Sequence, residues 1–323
     1  MPSHVSRRLL VVAGLAGSLF LQPALAQDKP WPTAKPITWM VGFVPGGSVD
    51  VITRVIAKAV SEKIGQSIVI ENRPGASGAL ALQAVARAPK DGYMLVTVPG
   101  PVLYGQRQPE IGKELSAVAL MSQGPIVLVG KQEGAPGNLA ELIRAMKKTP
   151  SQWNFASSGT GTGQHLAGEL FNSMAGTEMV HIPYKGGGQA VTDIIGGQTS
   201  LGMLGVTPVL AHIKSGQLKA YAVTTTFRIP SLPDVPTMEE AGLKGYEATQ
   251  YFVAAVPAGV DARIVSRLNA AIEETSRAPE VVAALAAGGQ VAGKLSPAET
   301  QKFVVKSLAK FDAVAKKANI TLN

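Results

Sequence analysis

Strand-length apolar segments alternate with helix-length segments along most of this chain, and a glycine-rich turn often stands where strand passes into helix. Residues 37–43 read as a buried strand, Val44-Pro45-Gly46-Gly47-Ser48 as a turn, and residues 49–64 as a helix. Val51, Val55, Ile56, Ala59 and Val60 fall on one side of that helix. A strand at 67–71, a break at Asn72-Arg73-Pro74-Gly75, a helix at 76–88 and a strand at 93–98 complete a first unit. The pattern restarts with helices at 139–147, 164–174 and 188–195 set between strands at 153–156, 179–182 and 201–206. Such alternation implies parallel pairing with right-handed crossovers, hence an α/β fold. Two units, each with its own glycine-rich loop, imply two lobes. Residues 251–256 are strand-like and fit a return crossing to the first lobe, with helices at 261–276, 279–287 and 297–318 covering it.

The first residues predict the compartment. Arg7 and Arg8 precede an apolar run at 9–21, followed by Gln22-Pro23 and Ala24-Leu25-Ala26. That is the order of a secretory signal peptide cleaved after Ala26, which sends the mature protein to the periplasm. The apolar run is shorter than the roughly 20 residues a membrane anchor needs. Ser6-Arg7-Arg8-Leu9-Leu10 is also a partial match to a twin-arginine export signal. Cysteine is absent, which excludes disulfides, thiolate catalysis, Cys-based zinc sites and lipid attachment through Cys. Stability must then come from apolar core, and a hydrophobic content of 46% is enough for one large or two medium domains. The net charge is +8, or +6 once the two leader arginines are removed. Lys and Arg are scattered, with no basic run interleaved with aromatics. The surplus therefore suits attraction of anionic ligands and not nucleic-acid binding.

Ligands in open α/β sheets sit beyond the carboxyl ends of strands, where helix N-termini point. Two loops occupy that position. The first is Phe43-Val44-Pro45-Gly46-Gly47-Ser48-Val49-Asp50, where paired glycines allow close backbone approach and the helix start supplies unpaired N–H groups. The second is Ala156-Ser157-Ser158-Gly159-Thr160-Gly161-Thr162-Gly163-Gln164-His165, which adds four hydroxyls before another helix. Together they are suited to grip a carboxylate through neutral donors, although one such turn alone is most often just a turn, and Asp50 would serve equally as a helix-start acid. Enzyme chemistry is less well supported. Gly159-Thr160-Gly161-Thr162-Gly163 lacks the Lys-Ser/Thr ending of a phosphate-binding loop and misses the dinucleotide spacing, so no cofactor is expected. Neither loop holds a Gly-x-Ser-x-Gly elbow. Ser157 or Ser158 with His165 or His181 and Asp193 is a conceivable hydrolase triad by residue type only. His165 and Glu169, four apart, are a possible but isolated metal pair, and no metal is expected.

These same residues resemble a known family, the substrate-binding proteins of tripartite tricarboxylate transporters, also called the Bordetella uptake gene family. The resemblance rests on residues 44–50, on Val69-Ile70-Glu71-Asn72-Arg73-Pro74-Gly75-Ala76, and on Asp91-Gly92-Tyr93. It continues through His165-Leu166-Ala167-Gly168-Glu169-Leu170-Phe171, Val180-His181-Ile182-Pro183-Tyr184-Lys185-Gly186, and His212-Ile213-Lys214-Ser215-Gly216. Leu232-Pro233-Asp234-Val235-Pro236-Thr237 and Pro257-Ala258-Gly259 follow in the family's order.

The resemblance implies a periplasmic-binding-protein type II-like fold, two α/β lobes with a ligand cleft between them, and capture of a small organic carboxylate for the membrane subunits of a secondary transporter. Lobe one is expected at 27–124 and 251–323, lobe two at 125–250. Loop one would contribute Pro45, Gly46, Gly47 and Ser48, with Asp50 fixing it. Loop two would contribute Ser157, Ser158, Thr160, Thr162 and Gly163, with His165 holding the helix start. Tyr184 and Lys185 would line the second lobe's side. Many members carry Asp or Asn just after the strand ending at 206; here Val206 and Thr207 stand there, which disfavours an ammonium-bearing ligand. The segment 99–113 looks shorter than the family's. With Tyr251 and Phe252 at the return crossing, an apolar cleft and a plain, dicarboxylic or aromatic acid are expected. A monomer is expected because both lobes must move. Ligand sensing for a membrane sensor, and more remotely hydrolysis, are the alternatives.

Overall fold

The computed structural model describes residues 30–103 and 112–317; the expected signal peptide and residues 104–111 lie outside them. β1 (Ile37–Val41) is almost wholly buried, as expected of a β-rich run at the centre of a parallel sheet. It pairs in parallel with β2 (Ile68–Asn72) and β3 (Met94–Pro99). The crossovers are α1 (Ser48–Ile64) and, after a 3-10 turn at Ala76–Gly78, α2 (Ala79–Ala86). One helical turn, α3 (Gly100–Leu103), follows β3.

β4 (Leu115–Lys131) then runs the length of the molecule. Its first part, to Pro125, lies antiparallel to β9 (Thr249–Pro257); from Ile126 it pairs with β7 (Leu201–Gly205) and from Val127 with β8 (Leu218–Val223). Between these come α4 (Leu139–Lys148), β5 (Asn154–Ser157), α5 (Gly163–Ala175), β6 (Val180–Pro183), α6 (Gly187–Ile195) and α7 (Val206–Lys214). β9 returns against β3 and β4. The chain closes with α8 (Ala262–Thr275), α9 (Pro279–Ala287), β10 (Val291–Ala292) and α10 (Pro297–Lys317). The strand order is β2-β1-β3-β9-β4-β7-β5-β6, with β8 and β10 also on β4.

The core is divided in two. Trp39, Phe43, Ile56, Leu268 and Leu285 fill one face of the first lobe's sheet, while Leu82, Val96 and Val253 fill the other. In the second lobe Leu142, Phe155, Phe171 and Met203 pack on one face and Val129, Ile194, Leu204 and Val209 on the other. β4 and β9 are the strands that pass between lobes. This is the two-lobed α/β architecture of type II periplasmic binding proteins. β4 carries a weak strand signal because Gly124-Pro125 breaks its middle; the break falls where it leaves one sheet for the other, the position where a strand tolerates proline. α7 is obscured by Pro208, which stands in its first turn and so removes no helical hydrogen bond. Among the described residues no helix is long and apolar enough to cross a membrane.

α5 is seated on β5 through Gly168, where a Cβ would stand 2.1 Å from Cε2 of Phe155. Alanine is the better helix former by about 1 kcal/mol, but overpacking a core costs about 1–3 kcal/mol. Gly168→Ala is therefore expected to lower the urea midpoint of the folded protein. An unchanged or raised midpoint would show that this seat is loose.

Candidate functional site

Four helices begin at one cavity between the lobes. The walls include Gly47 and Ser48 at the start of α1, Thr162 and Gly163 at α5, Gly186 and Gly187 at α6, and Pro208 in the first turn of α7. The N-caps of α1, α6 and α7 are Gly47, Gly186 and Gly205, none with a side-chain capping bond. Their first N–H groups are thus left for another acceptor, and the dipoles add positive potential there. α5 differs: the Thr162 hydroxyl caps it by accepting from His165 N. Ser48 Oγ is buried at this cavity without a hydrogen-bond partner. The remaining walls include Phe43, Pro99, Ser158, Gln164, Gln250 and Phe252. The cavity is about 20 Å³, room for roughly one water molecule.

The small volume reflects closed lobes. Val44 N donates to Lys185 O across the cleft at 3.1 Å. A Cβ on Gly186 would meet Val44 Cγ2 at 2.6 Å, and one on Gly205 would lie 2.3 Å from Ser48 Oγ and 2.6 Å from Gln250 Nε2. Beside it, and sharing Phe43, opens a second cavity of about 230 Å³. Its lining includes Gly75, Ala76 and Ser77 from the first lobe and Gly159, Thr160, Pro183, Tyr184 and Lys185 from the second. Ala76 and Ser77 both hold positive φ, at 46° and 55°. This strained turn aims Ser77 at Gly159 across the cleft.

Loop one is braced from below. Gly46, at φ +85, turns the backbone so that its N–H donates to Asp50 Oδ2 at 3.0 Å. Asp50 also accepts from Arg54 Nε and from Asn72 Nδ2, and Asn72 Nδ2 donates in turn to Phe43 O. Burial pushes the Asp50 carboxyl up, but the bonds from Arg54, Asn72 and Gly46 outweigh it and hold the carboxyl below its ordinary range. Loop two is braced by histidines. The Ser157 hydroxyl meets His181 Nε2 at 2.7 Å, Gly161 N donates to His165 Nδ1, and the two imidazoles stack at 3.9 Å between centroids. Burial, and secondly His165, push His181 down to about 3. Burial pushes the Glu169 carboxyl up against a hydrogen bond from Asn172.

The structure gathers Gly47, Ser48, Ser158, Thr162 and Gly163 at the small cavity and Thr160, Tyr184 and Lys185 at the larger one. Pro45 and Gly46 form the exposed tip of loop one. Ser157 is fully buried and faces the histidines, and Asp50 and His165 stand behind their loops. Tyr184 reaches the larger cavity with its ring, its phenol being engaged by Asp193 and Thr199. Thr207 abuts Gly288 of the first lobe, and its neighbour Pro208 takes the cleft position. Tyr251 does not contribute to the cleft: alternation along β9 turns Gln250 and Phe252 towards it and Tyr251 to the opposite face. The triad of Ser, His and Asp is not assembled, since Asp193 bonds Tyr184. His165 and Glu169 lie 3.7 Å apart, and no group of three metal-ligating side chains exists among the described residues. Gly186, Gly187 and Gly205 lacked the hydroxyl-rich signature of loop two, and Gln250 and Ser77 carried no local signal at all.

A fold of two α/β lobes closed over a cavity rimmed by helix N-termini defines a solute-binding protein. Residues 52–320 match the profile of the tripartite tricarboxylate transporter family receptor, and the chain belongs to that family. It is 34% identical to protein BugT of Bordetella pertussis, over 98% of each chain. Among solved structures it resembles R. palustris Rpa4515 with adipate, with a TM-score of 0.85 and 31% identity over 90% of this chain and 98% of that one. It also resembles MatC of Rhodopseudomonas palustris with bound malate, with a TM-score of 0.82 and 26% identity over 87% and 99%.

The depressed His181 has a definite pH signature. Its stabilising contribution is whole above the unfolded value near 6.5 and is lost as pH falls from there towards about 3. Asp50 adds a loss in the same direction at lower pH, while Glu169 opposes it. Urea unfolding between pH 7.5 and 4 should show wild-type stability falling more steeply than that of His181→Asn. The difference in slope should approach one proton, about 1.4 kcal/mol per pH unit. Parallel curves would show that the imidazole titrates freely.

Proposed function

We propose that the protein captures a small dicarboxylate in the periplasm and delivers it, closed between its lobes, to the membrane subunits of a secondary transporter. The observation that carries this reading is the set of three uncapped helix N-termini around the unpartnered Ser48 hydroxyl. One carboxylate there would accept several charge-assisted hydrogen bonds without a salt bridge. The second carboxylate would extend into the larger cavity. The side chains of Ser77, Thr160 and Lys185 stand there with no hydrogen-bond or ion-pair partner among the described residues. No Asp or Glu lines either cavity, so an ammonium group would find no counter-charge. Adipate and malate, bound by the two structural relatives, are diacids of suitable size. The hinge would lie where β4 and β9 change lobes, so that 27–124 with 251–323 close against 125–250. The ligand favours closure by as much as it binds the closed form better than the open one.

A micromolar dissociation constant corresponds to about −8 kcal/mol, and each hydrogen bond to a charged group supplies about 1.5–3 kcal/mol. Calorimetric titration of succinate, malate, adipate and hexanoate should find a diacid binding at micromolar concentration and hexanoate binding more weakly. Ser48→Ala should weaken the preferred diacid about tenfold or more. Gly205→Val, which places a side chain against Ser48 and Gln250, should abolish binding while far-UV circular dichroism stays unchanged. If both variants bind like the wild type, the site lies elsewhere.

A further inference from the structure

Two glutamine side chains run in a row along the wall of the small cavity. Gln250 stands on β9 where that strand crosses between lobes, paired with Gly124 of β4, and Gln164 lies in the first turn of α5. Gln164 Oε1 accepts from Ser158 N at 2.9 Å, Gln164 Nε2 donates to Gln250 Oε1 at 3.2 Å, and Gln250 Nε2 donates to Pro125 O at 3.0 Å. Both side chains are buried, at 7% and 4% exposure, and both line the cavity. The ends of the row fix its polarity. A backbone N–H can only donate and a carbonyl only accept, so turning either amide over would set donor against donor or oxygen against oxygen. A primary amide nitrogen carries two hydrogens, and each nitrogen here uses one within the row. The second N–H of Gln250 has no partner among the described residues. Gln250 Nε2 and the unpartnered Ser48 Oγ both close on the place that a Cβ of Gly205 would take, at 2.6 and 2.3 Å.

We infer that Gln250 is a specificity-determining residue of the carboxylate site: its free N–H donates to the bound head group, and its locked orientation admits a carboxylate and rejects the isosteric carboxamide. The inference rests on the carboxylate reading of this cavity and adds to it the residue that selects the head group. A carboxylate offers acceptors on both oxygens, so it satisfies the backbone N–H groups, Ser48 and Gln250 alike. A carboxamide could turn its oxygen to the helix N-termini and its NH2 to Ser48, because a hydroxyl rotates to accept as readily as to donate. That turn gains nothing at Gln250, where the NH2 would face an amide nitrogen that Gln164 and Pro125 hold in place. A donor facing a donor in a buried site leaves both unpaired, which is how a polar site rejects a near-isostere.

Adipate with adipamide, and succinate with succinamide, are pairs that differ only in the head group. Calorimetric titration of the mature chain near neutral pH should find the bound diacid about a hundredfold or more tighter than its diamide. Gln250→Met keeps the length of the side chain, removes both N–H groups and should weaken the diacid about tenfold, the worth of one hydrogen bond to a charged group. Gln250→Glu puts an oxygen where the nitrogen stood. It should weaken the diacid about a hundredfold or more through like-charge contact, and it should bind the diamide tighter than wild type does, because an acceptor then faces the NH2. A Gln250 that served only the packing of β9 would not give that gain. Gln250→Met carries the test if Gln250→Glu does not fold. The inference is overturned if wild type binds diamide and diacid alike, if Gln250→Met with an unchanged thermal melt binds the diacid like wild type, or if a folded Gln250→Glu gains nothing for the diamide. A wild-type chain that binds no diacid would overturn the carboxylate reading itself, whereas diacid binding that survives Gln250→Met undiminished overturns this inference alone.

Discussion

Helices α1 and α6 begin without side-chain caps at the walls of a cavity barely larger than a water molecule, and the uncapped start of α7 at Gly205 stands beside Ser48 there. Much of the molecule serves that convergence. Each helix N-terminus needs a strand to deliver it, and the strand order places β1, β5, β6 and β7 so that their following helices point inward from two lobes. Such a site attracts an anion without a buried cation. Closing the lobes then desolvates no fixed charge on those donors, which would carry a large penalty. Under the proposed function, neutral donors would also leave a ligand free to depart when the lobes separate.

Closure sets the second constraint. Glycine at 186 and 205 is required by approach distance, because a methyl group at either place would strike Val44 or Ser48 of the opposite lobe. The acidic residue of loop one is a brace in this scheme. Asp50 lies under the turn, tied to Gly46, Arg54 and Asn72, and holds α1's first turn at the angle the cavity needs. On the other side the stacked imidazoles of His165 and His181 perform the corresponding work for loop two, through Gly161 and Ser157.

The α/β alternation, the two lobes and the first two loops were legible in the sequence because strand period, helix period and glycine-rich turns are local signals. The other two N-termini were not. Gly205-Val206-Thr207-Pro208 reads as the end of a strand meeting a proline, and only tertiary placement shows that Pro208 enters the cleft while Thr207 meets Gly288. Tyr251 and Phe252 looked equivalent as neighbouring aromatics at the crossing; which face each takes follows from β9's register with β4, which composition does not encode. Ser77 depends on a left-handed backbone at two non-glycine residues, a conformation that no single-sequence propensity foretells.

The most direct test of the central claim is a crystal structure of the mature protein with its preferred diacid. The account predicts one carboxylate within about 3.2 Å of Ser48 Oγ and of backbone nitrogens at the starts of α1, α6 and α7, with the other carboxylate beside Ser77, Thr160 and Lys185. Density placing both carboxylates on cationic side chains, with the helix N-termini still hydrated, would contradict it.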